Sequence, residues 1–86
     1  MSMVSAKPPI LRDEVKDFAN AMERVLLAND EEKGDSWKAM PLATLRTLLD
    51  REIMEWGAAR QNYITIEKKE LLDIANMAMM VYHRLK

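Results

Sequence analysis

Residues 65–85 read TIEKKELLDIANMAMMVYHRL, and this stretch carries the period of a long helix. Ile74, Met77, Ala78, Val81 and Leu85 recur at the spacing of one helical face. Thr65 is placed as an N-cap, and Glu67 stands where the helix dipole favours an anion. Leu71, Leu72, Ala75, Met79 and Tyr82 occupy the flank and back of that face. A helix wet on that side would not carry them, so this one is expected to pack on two sides.

The segments before it read as two further helices. Pro41 sits where a helix opens, and Leu42, Leu45, Leu48, Leu49, Trp56 and Ala59 form its stripe, which ends near Gly57 to Gln61. Arg60 to Thr65 makes the turn into the last helix. Upstream, Pro8 and Pro9 mark the start of a helix over 10–29, with Val15, Phe18, Ala19, Met22, Val25 and Leu26 on one face. The polar run from Asp30 to Ser36, containing Gly34, is the intervening loop. Residues 1–9 read as a flexible arm and 10–86 as a single helical domain.

The expected fold is therefore all-α, with three main helices. Two glycines and one phenylalanine are too few for a sandwich or barrel. A chain of 86 residues buries only about 60% of its unfolded surface, so its core is marginal alone. Three helices cannot easily cover both sides of the last one. A homodimer that completes a helical bundle is the economical solution.

Composition removes several classes of function. Thirteen basic against fourteen acidic side chains leave a net charge of −1, which argues against a general nucleic-acid binder. The absence of cysteine excludes disulfides, thiolate metal sites and a cysteine nucleophile. The longest apolar run, Met77 to Tyr82, is far short of a membrane span, and the N-terminus has no signal-peptide pattern. A cytoplasmic protein is expected.

The anomaly is acidic. On a helical wheel Glu52 lies at the centre of the stripe made by Leu45, Leu49, Trp56, Leu48 and Ala59, with Glu55 on its shoulder. Glu70 lies among Ile74, Met77 and Val81 in the same way, with Asp73 on its shoulder. Each helix thus aims an i, i+3 carboxylate pair along its core-facing side. Four like charges converging in a bundle repel, and each loses hydration at a cost of several kcal/mol. A divalent cation relieves both, and all-oxygen ligands suit Mg²⁺ or Mn²⁺ rather than Zn²⁺. The competing reading of an E-x-x-E on a helix is a solvated face.

Glu52-x-x-Glu55, then Glu70-x-x-Asp73, resembles the E-x-x-E…E-x-x-D signature of MazG-like nucleotide pyrophosphohydrolases. The run DIANMAMM over 73–80 is similar to the D-V-A-N-x-A-M-M stretch of short members of that group, and the Lys33-Gly34 step before Trp37 fits as well. The likeness covers roughly Leu26 to Leu85. Arg51 and Ile53 depart from the family's usual E-E-x-x-E-L texture, but no signature carboxylate is missing.

The resemblance implies an all-α dimer or dimer of dimers that hydrolyses a nucleoside triphosphate to the monophosphate and pyrophosphate with Mg²⁺. Glu52, Glu55, Glu70 and Asp73 would then hold the metal, and Glu52 or Glu55 would take the proton of the attacking water. Three residues are placed as substrate contacts. Asn76 follows Asp73 on the same side and can orient a ligand or bond to the sugar; a core contact is the other reading. Trp37 can stack on the base or anchor the loop, and Lys33 can reach a phosphate or stay solvated. Arg60, Lys68 and Lys69 read as surface charge, with phosphate contact across a dimer the other reading. His83 reads as a favourable dipole partner, and the eight methionines mostly as core filler, with Met77 and Met80 also placed to line a base pocket. The alternative from another class is a non-catalytic helical oligomerisation or partner-binding module with a structural metal site.

Overall fold

The computed structural model describes residues 8–60 and 63–85. Most of the expected arm, the middle of the second turn at Gln61 and Asn62, and Lys86 lie outside the described residues. The architecture is all-helical: α1 (Asp13–Asn29), a 3₁₀ turn (Ser36–Lys38), α2 (Leu42–Ala59) and α3 (Ile64–Arg84).

α1 begins three residues later than the 10–29 expectation. Arg12, its N-cap, is extended and makes no side-chain cap bond, and Asp13 and Glu14 fill the first turn. An acidic first turn complements the exposed amides of a helix start. Extending the helix back to Ile10 would gain no burial, since that side chain is 96% exposed. α2 opens after Pro41, as its position predicts.

α3 starts before Thr65 rather than at it. Tyr63 is the extended cap residue, and its carbonyl accepts from the amides of Ile66 and Glu67 at 3.0 and 3.1 Å. Thr65 therefore sits inside the first turn. Between α1 and α2 the chain reverses through Gly34, whose φ of +46° lies in the left-handed region. A Cβ there would stand 3.2 Å from the Asp30 carbonyl oxygen, so both space and conformation favour glycine.

α3 is the central element. It packs along α2 on one side and against α1 on another, and the 3₁₀ turn rests on its end. α1 and α2 of the same chain cover part of its two apolar sides, while Leu71, Tyr82 and Leu85 remain exposed at 38%, 82% and 49%. α2 and α3 form an antiparallel hairpin. Trp56 Nε1 donates to Glu67 at 3.0 Å, and one turn further along the pair Glu52 meets Glu70. Arg60, exposed at the surface as expected, lies over the Trp56 ring, 4.8 Å from its centroid.

The core of the single chain is thin. Among the described residues only Leu45 and Ala59 are buried apolar side chains, with Asn76 the buried polar one. No residue of α1 is buried; Val15 and Phe18 of the expected apolar face, and Leu11 just before the helix, remain nearly half exposed. The radius of gyration is 14.9 Å, against about 12 Å for a compact domain of this length. Among the described residues no helix is long and apolar enough to cross a membrane.

Candidate functional site

The hairpin brings acidic groups together because each pair sits one turn apart on facing helix surfaces. Carboxylate oxygens of Glu52 and Glu55 from α2 and Glu70 from α3 lie within 4.8 Å of one another. Glu52 and Glu70 are half-buried and Glu55 is exposed. One oxygen on each half-buried member, Glu52 Oε2 and Glu70 Oε2, is buried with no hydrogen-bond partner. Unpaired buried carboxylate oxygens are costly.

Asp73, the fourth predicted ligand, stands beside the trio and is not part of it. Its Oδ2 accepts a 2.8 Å hydrogen bond from Lys69 Nζ, one turn earlier in α3. Lys69 is therefore an ion-pair partner of a site residue rather than plain surface charge. The same contact, with further attraction from Glu70 and Glu52, raises the Lys69 pKa against the opposing effect of burial.

The residues bound a cleft of ≈ 580 Å³. The seven side chains singled out from the sequence — Lys33, Trp37, Glu52, Glu55, Glu70, Asp73 and Asn76 — all line it. Lys33 is exposed on the turn after α1, while Trp37 is half-buried. Asn76 is 4% exposed, and its Nδ2 donates to the Met22 carbonyl of α1 at 3.3 Å. Its Oδ1 has no partner, so the core-contact reading accounts for only one end of the amide.

Trp37 is held from behind by the end of α3. Arg84 Nη1 donates to the Trp37 carbonyl at 2.9 Å and also to the Met40 carbonyl. The His83 ring meets the indole edge-on at 5.7 Å, and the Lys38 ammonium lies 5.6 Å from its centroid. His83 still occupies the last turn, where the dipole favours it, but it also props the indole. Sequence periodicity gave no signal for Arg84, because its partners are main-chain carbonyls 47 and 44 positions away.

Burial, then the neighbouring Glu55, Asp73 and Glu70 charges together with a hydrogen bond to Glu55, push the Glu52 pKa up to about 7 from 4.5. The sign of the resulting pH dependence follows. Below about pH 4.5 Glu52 is protonated in both folded and unfolded chains and no penalty exists. As pH rises to 7 the unfolded chain sheds this proton first, so the folded state loses stability. Urea unfolding in EDTA is thus expected to give a lower midpoint at pH 8 than at pH 5. The drop should shrink in Glu52→Gln and on adding Mg²⁺. An equal drop in wild type and Glu52→Gln would show that this carboxyl is not the crowded one.

The donor set is all oxygen, and two of its buried atoms lack partners, so the residues fit a hard divalent cation. Among known proteins, no family model, no curated protein and no solved structure matches this chain.

Proposed function

We propose that the chain is a MazG-like nucleoside triphosphate pyrophosphohydrolase that uses Mg²⁺, with Mn²⁺ as a substitute, in the cytoplasm. The observation that carries this reading is the carboxylate trio with buried, unpartnered oxygens opening into the same cleft as a braced tryptophan. The cleft volume of ≈ 580 Å³ suits a nucleotide-sized ligand.

Glu52, Glu55 and Glu70 would hold the cation, with Asp73 joining once Lys69 lets go. A divalent ion in such a place supplies charge neutralisation for a triphosphate and a more acidic water. The chain's own groups do the rest. Trp37 stacks on the base, Lys33 reaches the phosphates from the turn, and Asn76 Oδ1 accepts a hydrogen bond from the ligand. In the reaction water oxygen bonds to the α-phosphorus, and the bond from that phosphorus to the α–β bridging oxygen breaks. Pyrophosphate departs, and the proton of the water goes to Glu52 or Glu55.

The working unit in this proposal is a homodimer, or a dimer of dimers. Support comes from the exposed row of Val15 and Phe18 on α1 with Leu11 just before it, and from the thin core of one chain. Two α1 faces packed together would bury that row by the isologous contact that a two-fold axis generates.

The deciding experiment incubates the protein with Mg²⁺ and a panel of ribo- and deoxynucleoside triphosphates and separates the products. Monophosphate plus pyrophosphate, lost on adding EDTA, supports the proposal. Diphosphate plus orthophosphate would overturn the mechanism, and no product with a folded protein would leave the non-catalytic module. Trp37→Ala is expected to raise KM about tenfold with kcat nearly unchanged, as loss of one base–aromatic stack does. A fall in kcat alone would remove Trp37 from the base site.

A further inference from the structure

Asp73 is the acidic residue that stands apart. Glu52, Glu55 and Glu70 bring oxygens within 4.8 Å of one another, whereas Asp73 Oδ2 is occupied by Lys69 Nζ at 2.8 Å. The two ends of this pair are unlike: the lysine side chain is 66% exposed and the aspartate 20%. Both line the cleft beside the trio. The ammonium therefore stands against the cluster on a long flexible stem, a short rotation from solvent. An independent sign that a ligand belongs here is Asn76, 4% exposed, lining the same cleft with its Oδ1 unpartnered.

We infer that Lys69 is a tethered counter-ion, which holds Asp73 in the cation-free protein and must be displaced before a divalent ion can use that carboxylate. The inference rests on the metal reading of the preceding subsection. Lys69 is a positioning residue: it acts through Asp73 and sets how tightly the centre takes its cation. A doubly charged ion outcompetes a single ammonium at the same carboxylate. An exposed lysine is also a weak holder, since such pairs are screened and lose side-chain entropy on forming. The arrangement keeps one of four converging charges neutralised while the site is empty, and yields it on filling. An arginine would grip the carboxylate with a planar fork and yield it less readily.

The test uses Mn²⁺ alone, without nucleotide, on protein stripped with a chelator that is then removed. Free Mn²⁺ is read by its paramagnetic resonance signal. Lys69→Met is expected to bind Mn²⁺ about five-fold tighter than wild type, from loss of one positive charge near the ion. Lys69→Arg should bind more weakly than wild type. Lys68→Met, next along the helix and also exposed, should bind as wild type does. Methionine has nearly the helix propensity of lysine, so circular dichroism should show the same helical content in each methionine variant.

Equal or weaker Mn²⁺ binding by Lys69→Met would overturn the inference while leaving the metal centre standing. Equal tightening in Lys69→Met and Lys68→Met would overturn it as well, by reducing the effect to net charge. If wild type binds no Mn²⁺ at millimolar concentrations, the metal reading itself falls, and the counter-ion role with it.

Discussion

Glu52→Gln should lower nucleotide turnover by roughly 10³-fold at saturating Mg²⁺ while leaving a folded protein. The substitution keeps the shape of the side chain and removes the charge that sits among Glu55, Glu70 and Asp73. In the metal-free protein that charge is a liability, because burial and three like charges oppose it. The same variant is therefore expected to be more stable than wild type in EDTA at pH 8. Loss of activity with a gain of stability is the mark of a site that holds strain for function. Turnover within tenfold of wild type would show that Glu52 has no part in the chemistry. Lost turnover with lost stability would make it a structural residue instead.

Leu45→Ala should carry the largest loss of stability of any single truncation on α2. Leu45 is 0% exposed, and few other buried side chains share its load. Leu→Ala changes at such positions cost about 3 kcal/mol, from lost transfer energy plus the cavity left behind. In a domain of this size that lowers Tm by roughly 12–24 °C. Leu45→Met, which nearly conserves volume, should cost less than about 1.5 kcal/mol. Leu45 also lines the cleft, so the alanine variant should bind nucleotide more weakly even where it remains folded. A midpoint within 1 °C of wild type would mean that another surface, absent from the single chain, bears the core.

The α1 row makes the protein-concentration dependence of these measurements informative. If Leu11, Val15 and Phe18 are covered by a second copy, thermal midpoints rise with concentration, because folding and association are then linked. Comparing Leu45→Ala and wild type at two concentrations separates loss of the internal core from loss of the interface.

Helix identity, order and approximate extent were legible in the residues, because apolar spacing is a local property and each helix repeats it over several turns. The pairing of Glu52 and Glu55 with Glu70 was legible for the same reason: carboxylates in the middle of an apolar stripe must meet whatever covers that stripe. The finer ends were not. α1 starts at Asp13 and α3 at Ile64 because main-chain amides found carbonyl partners there, without any side-chain cap to announce the place. Apolar residues on both sides of α3 pointed to two neighbours, but spacing carries no information about whether those belong to one chain or two. Only packing showed that α1 and α2 are two of those neighbours. Packing alone set His83 and Arg84 behind Trp37, whereas the Lys69–Asp73 pair is an i, i+4 contact that helical spacing on α3 already allows. Period decides which side of a helix is buried. Which charged atom ends within 3 Å of which is decided by rotamers and helix register, and those exist only once the helices have met.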